Sequence, residues 1–235
     1  MSFTHLHVHS HYSILDGGIK IPDLIAQVKN LGMDSVALTD HGNLFGAFEF
    51  YREAVKSQIK PIIGMEGYFS LEGRKSKSHN YHMTLWAKNS KGYHNLMKIS
   101  SLAYIEGFYR KPRLDKEILL KYKEGIIIGT ACRNGIIPAL IFEGNLEEAE
   151  KQMNFFKNEF GEDFYIEMMR VGIEEEVEVN EKLLELSKEI GVPIIATNDV
   201  HYLKQEDARS HEILLLLQTK KTVSEDNTLK LPTNN

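Results

Sequence analysis

Short apolar runs rich in β-branched residues punctuate the chain at "FTHLHVH" (3–9), "SVALTD" (35–40), "PIIGMEGYF" (61–69), "HMTLWA" (82–87), "GIIIGTAC" (125–132), "FYIEMM" (164–169) and "VPIIATND" (192–199). Their length and composition predict about seven strands. Between them, apolar residues recur at helical spacing in "IPDLIAQVKNLG", "FGAFEFYREAVKSQ", "GYHNLMKISSLAY", "LEEAEKQMNFFKNEF", "EEEVEVNEKLLELSKEIG" and "EDARSHEILLLLQ". Gly32 and Gly191 stand where helices commonly end. Strand and helix alternating over short links predict an α/β fold with a mostly parallel sheet, either a closed barrel or a doubly wound sheet. Nothing marks an internal boundary, so one domain over residues 1–235 is expected. "SLEGRKSKSHN" (70–80) is a polar insertion, and "RKPRLDKEILLKYKEG" (110–125) a charged connector with a helical turn.

The polar residues that interrupt this pattern are not scattered. In "THLHVHSHYSILDGG" histidine occupies every second position from His5 to His11, and Asp16 follows. On a strand such residues share a face at intervals of about 6.6 Å, close enough for two imidazoles to serve one metal or two adjacent ones. In a parallel barrel, chemistry gathers at the carboxyl ends of the strands. There stand His7 and His9, Asp40 and His41, Glu66, Cys132, and Asp199 and His201, every one a potential metal ligand. No glycine-rich phosphate loop of the kind a doubly wound nucleotide-binding sheet needs follows any strand, which favours the barrel.

Composition narrows the setting. At 235 residues, 42% apolar and 26% charged, the chain can bury a full core. No apolar run approaches the ~20 residues of a membrane span, and no leader precedes the histidines, so a cytoplasmic protein without a membrane partner is expected. A single cysteine excludes an internal disulfide. A net charge of −5 argues against a free-standing non-specific DNA binder.

In order, "HLHVHS", "LTDHG", "IIGMEGYF", "YHMTLWAKN" and "IIATNDVHY" resemble the polymerase and histidinol phosphatase (PHP) domain, in the form found at the amino terminus of the bacterial DNA polymerase III alpha subunit. The resemblance runs over essentially the whole chain and implies a distorted seven-stranded (β/α)7 barrel. It also implies a cluster of up to three metals, zinc, manganese or iron, held by His7, His9, Asp16, His41, Glu66, His82, Cys132, Asp199 and His201. Imidazole, carboxylate and thiolate suit zinc, and carboxylate suits manganese as well. Glu66 is a natural bridge, having two oxygens. Paired metals clamp phosphate and acidify water, so the expected reaction is phosphoester hydrolysis, with His7, His9, Asp199 and His201 carrying it.

Three functions are implied: a 3′→5′ exonuclease acting on a DNA primer end, a non-catalytic metal-stabilised brace for the rest of the polymerase chain or a separate proofreading subunit, and a free-standing histidinol-phosphate phosphatase. "TLKLPTNN" reads as the end of an excised amino-terminal fragment. Other residues carry blander expectations. His5 is a packing residue or one that supports a ligand, and His11, His79, His94 and His211 belong at the surface. Asp40 either orients the His41 ring or caps the segment beginning at Gly42. The "FEFYREA", "LLELSKE" and "EILLLLQ" stripes are helix faces packed on the core. His82 stands at the beginning of its run, so its strand either starts inside the site or runs antiparallel.

Overall fold

The computed structural model describes residues 3–172 and 176–222. Its strands are β1 (Ser35–Leu38), β2 (Lys60–Phe69), β3 (Tyr81–Ala87), β4 (Phe108–Tyr109), β5 (Lys111–Leu114), β6 (Ile126–Gly129), β7 (Phe164–Met168) and β8 (Ile194–Ala196). The helices are α1 (Ile21–Asn30), α2 (Ala47–Lys56), α3 (Ser90–Gly107), α4 (Lys116–Lys121), α5 (Ile136–Phe142), α6 (Leu146–Phe160), α7 (Glu176–Ile190) and α8 (Ala208–Thr219). The predicted start of α7 and the chain end "TLKLPTNN" lie outside the described residues.

β1 pairs with β2, β6 with β7 and β7 with β8, all parallel, whereas β3 is antiparallel to both β2 and β6. The segment around His5–His9 closes this curled sheet. It makes isolated parallel bridges, His5 to Val36 and Val8 to Val200, with hydrogen bonds from Ala37 N to His5 O (2.8 Å) and from His9 N to Val200 O (2.8 Å). Seven staves therefore form a distorted barrel, and the reversed β3 resolves the question His82 raised. Because β3 runs against its neighbours, its first residues lie where the parallel strands finish.

Helices cover the outside. α1 and α2 pack Ile21, Leu24, Ile25, Phe50 and Ala54 on β1 and the amino-terminal segment. A larger apolar cluster unites β2, β3, β6 and β7 with α3 to α7. Local chemistry sets the boundaries. Asn89, Asp115 and Asn145 cap α3, α4 and α6 through their side chains, and Gly32 and Gly191 adopt φ of +70° and +74° just beyond α1 and α7.

Several expectations need correction. The connector 110–125 contains β5 and α4, and β5 pairs with β2. Pro112 lacks an N–H for the ladder, and β5 is held on β2 through Arg113 and Leu114. The all-apolar "IIPALIF" shows no helical period because it has no polar face, and it forms α5. In the three stripes read as packed faces, Phe50, Leu183, Leu215 and Leu216 are buried, but Phe48, Tyr51, Leu184, Ile213 and Leu217 are exposed.

The barrel interior is narrow. Trp86 lies across it and donates from Nε1 to Leu6 O at 2.8 Å. Gly129 makes room for the indole: a Cβ there would lie 2.6 Å from Trp86 Cη2 and 2.4 Å from Glu167 Oε1. Among the described residues no helix is long and apolar enough to cross a membrane.

Candidate metal centre

The polar residues at the carboxyl end of the barrel converge on Glu66. Its carboxylate is 1% exposed and meets His41 Nδ1 at 2.7 Å, His82 Nδ1 at 2.9 Å, His7 Nε2 at 3.3 Å and His9 Nε2 at 3.5 Å. Asp199 Oδ1 lies 3.1 Å from His9 Nε2, 3.3 Å from His7 Nε2 and 3.6 Å from His201 Nδ1. Asp16 Oδ2 meets His41 Nε2 at 2.8 Å, and its Oδ1 lies 3.7 Å from His201 Nε2. Cys132 Sγ approaches His82 Nδ1 at 3.6 Å. The structure thus joins all nine residues singled out as ligands through contacts no longer than 3.6 Å.

Each reaches the cluster by its own route. His7 and His9 come from the closing segment, His41 follows β1, and Glu66 lies in β2 with His82 two residues along the same face on the partner strand, Tyr68 opposite it. Asp199 and His201 follow β8, where Asp199 adopts φ of +50°, a left-handed conformation aspartate tolerates better than most residues. The turn from Ser10 to Gly17 carries Asp16 back over the barrel mouth through bonds from Ser13 N to Ser10 O and Asp16 N to Ser13 O.

Among the described residues His7 Nε2, His9 Nε2, His41 Nδ1, Glu66 Oε2 and Asp199 Oδ1 are buried without a well-aligned hydrogen bond. His82 Nδ1 with Glu66 Oε1 and His41 Nε2 with Asp16 Oδ2 do form hydrogen bonds, but the five atoms named here come close to one another without forming any. Orphaned donors and acceptors converging this closely are costly in an apolar interior. Lone pairs aimed at a shared point are what a cation satisfies. Three overlapping triads have ligand atoms mutually within 4.8 Å: His7, His9 and Glu66; His41, Glu66 and His82; and His9, His41 and His201. The residues present therefore fit a multinuclear metal site.

Electrostatics point the same way. Burial alone lowers His41, but Glu66 and Asp16 outweigh it and raise the imidazole to about 10. His7 is also raised: burial opposes this, and Asp199, Glu66 and Glu167 override it. His9 is pushed down to about 3 by burial and by the neighbouring His41 and His201. Burial works to raise Glu66, yet His82, His7 and His41 hold it well below the usual carboxylate range. Burial, then Asp199 and Glu66, push the Cys132 thiol up. Protons on imidazoles supply the positive charge these carboxylates demand, a role a divalent cation takes over with proton release.

Supporting residues include some that sequence reasoning missed. Glu167, 2% exposed, accepts from Thr84 Oγ1, Ala131 N (2.8 Å) and Thr197 Oγ1 (3.0 Å), and sits 3.0 Å from His7 Nδ1. The available signal was a carboxylate inside an apolar strand, as at Glu66. Asp40 does not touch the His41 ring and caps nothing at Gly42. It accepts from Ser10 N (2.7 Å), Ser10 Oγ (2.8 Å) and Ser13 Oγ (2.8 Å), and Ser13 Oγ in turn lies 3.0 Å from His9 Nδ1. His211 is not at the surface: 3% exposed, its Nε2 lies 4.0 Å from Asp16 Oδ1 and its ring 5.5 Å from that of His201. α8 folds over the site, which helical periodicity alone does not reveal. His5 packs edge-on against Phe3, and His11, His79 and His94 are exposed. A cavity of about 590 Å³ adjoins the cluster at Cys132, Asp199 and His201 and extends to Leu24, Val28 and Leu203.

A barrel with histidines and carboxylates clustered at its carboxyl end defines the class, and the PHP domain family matches residues 5–171: the chain belongs to that family. Within it, the chain is 48% identical over 99% of its length to DNA polymerase III subunit alpha of Borreliella burgdorferi, and 45% identical over its full length to the same subunit of Treponema pallidum. It spans about a fifth (21%) of those relatives. Among solved structures it superposes on a candidate metal-dependent phosphoesterase of Bifidobacterium adolescentis (TM-score 0.54, 13% identity, 86% of this chain and 88% of that one). It also superposes on an amidohydrolase of Chromobacterium violaceum with bound sulfate and no metal (TM-score 0.56, 15% identity, 84% and 87%). At such identities these neighbours bear on the fold alone.

Proposed function

We propose that this domain is a metal-dependent phosphoester hydrolase whose substrate is the 3′ end of a DNA strand, working as part of a longer polymerase chain. The observation that carries the reading is the set of orphaned donors around Glu66. His7, His9, Glu66 and Asp199 would hold one metal, Glu66, His82 and Cys132 a second, and Asp16, His41 and His201 a third. Zinc or manganese, with iron as a further option, would supply Lewis acidity and a more acidic bound water. The chain's own residues do the rest. Glu167 and Ser13 orient the His7 and His9 rings from behind. The adjoining cavity is large enough for a nucleotide. Relatives named as polymerase subunits support the rest of such a chain, and the primer end it holds, as partners, in preference to a free-standing histidinol-phosphate phosphatase.

A second reading, a metal-braced module that supports the polymerase or a proofreading subunit, is favoured by one feature. The donors come from staves all around the barrel, so bound metal would cross-link the ring. The deciding experiment measures metal content and turnover together, on an aryl phosphate and on a 3′-labelled primer. Asp199→Asn and His9→Ala are expected to lower turnover more than about 100-fold while the fold persists. Fully metallated protein without turnover on either substrate would leave the brace.

A further inference from the structure

We propose that the β4–β5 hairpin, the loop 74–80 and the exposed rings of Phe45, Tyr104 and Phe108 form a docking track for single-stranded nucleic acid beside the metal centre. Three cations crowd one ring: Lys77 Nζ, Arg110 Cζ and Arg113 Cζ lie 5.4, 5.5 and 5.3 Å from the centroid of Tyr109. Lys111 Nζ lies 5.0 Å from the ring of Tyr68, which itself stacks on His41 at 5.8 Å. The track therefore begins at the cluster.

The nearby carboxylates do not neutralise these cations. Glu106, Asp115 and Glu117 all bind Arg74, at 2.6, 2.9 and 2.9 Å. Among the described residues Lys77, Arg110, Lys111 and Arg113 have no carboxylate within ion-pair distance. Arg113, 2% exposed, is out of reach of a surface phosphate; it donates from Nε to Gly107 O at 3.1 Å and adds positive charge from within. Like charges gathered on one ring repel. In a chain of net charge −5 this surplus is local, not background. An anion relieves it.

The adjoining rings say which anion. Phe45, Tyr104 and Phe108 are 61, 37 and 59% exposed and follow one another at centroid distances of 6.2 and 5.9 Å. Phe108 is next in sequence to Tyr109, so rings and cations lie side by side. Inorganic phosphate would use the cations and leave the rings wet. An apolar protein surface would cover the rings and strand the charges. A single strand uses both, its phosphates on the cations and its unstacked bases on the rings. This binding requires no metal, so it stands apart from the hydrolysis proposed above.

The test is fluorescence anisotropy with a labelled oligothymidylate at low salt, in chelator and again with manganese. Lys77→Ala, Arg110→Ala and Lys111→Ala combined are expected to weaken binding tenfold or more, and to reduce the slope of log affinity against log salt by about 2, ~0.7 for each phosphate no longer neutralised. Tyr104→Ala with Phe108→Ala is expected to weaken binding about tenfold with the slope unchanged. All these side chains except Tyr104 are well exposed, and unchanged melting temperatures will show that the variants fold. Lys182→Ala with Lys188→Ala, on α7, is expected to have no effect. Affinity equal to the unaltered chain in both sets, an absence of binding at low salt, or displacement by tripolyphosphate as effective as by unlabelled oligothymidylate would each overturn the proposal.

Discussion

Glu66 and Glu167 are both carboxylates buried in apolar strands, but they face different demands. Glu66 is surrounded by four imidazoles, with one oxygen lacking an aligned partner, whereas Glu167 is saturated by hydroxyl and amide donors and steadies His7. Different failures follow. Glu66→Gln keeps the shape and removes the shared charge, and is expected to reduce bound metal to one equivalent or less by elemental analysis. Glu167→Gln leaves every proposed ligand in place and loosens one of them, so metal affinity should fall about 10- to 100-fold in a chelator competition. Gly42 marks a third kind of residue. It adopts φ of +65°, its N–H donates to Glu66 O at 2.7 Å, and a Cβ would lie 2.7 Å from Pro112 Cγ. Gly42→Ala should destabilise by more than about 1 kcal/mol, read as a shifted urea midpoint.

At the scale of elements, the closing segment decides whether the staves make a barrel. Its bridges are isolated, but it is hydrogen-bonded on both sides, to Ala37 in β1 and Thr39 just after it and to Val200 after β8, and Val8 in the core and the Trp86 bond to Leu6 O add to that hold. Trp86 is the only tryptophan, 4% exposed. Its fluorescence should therefore report ring closure directly, blue-shifted when folded and red-shifting as the closing segment leaves. Trp86→Phe strands the Leu6 carbonyl and should cost about 1–3 kcal/mol. The reversed β3 has the larger consequence for function, since it brings His82 to the mouth of the barrel from the opposite chain direction.

For the whole molecule, the charge balance of the cluster predicts how pH and metal act together. Without metal, His41 and His7 have pKa values raised above the unfolded value of about 6.5. Their contribution to stability is fully present below pH ~6.5 and is lost as pH rises through the folded values, near 10 for His41. Glu66, Asp16 and Asp199 are depressed, so their contribution is present above the ordinary carboxylate range and is lost on strong acidification. A cation replaces the imidazole protons and binds better as they leave. The melting temperature in chelator should therefore fall between about pH 6.5 and 9, while the rise produced by zinc or manganese grows over the same interval. A metal-induced rise that is equal or smaller at the higher pH would count against ligation by these imidazoles.

Much of this was legible in the chain because it depends on neighbours in sequence. Among the described residues, six of the eight α-helices and six of the eight strands follow from apolar period and length, and the ligand types at strand ends follow from the rule that parallel strands present their carboxyl ends together. What escaped depends on contacts distant in sequence. The direction of β3, the grip of Glu167 on His7, the burial of His211 against Asp16, and the hairpin around Arg110 are each fixed by a partner tens of residues away or by a single left-handed residue. Periodicity records which face of an element is apolar, but not which element will cover it. The sequence by itself determined which side chains were available for a metal centre. Only the tertiary structure decided that they would meet around one buried carboxylate, because strand order and ring closure arise from packing the whole barrel at once.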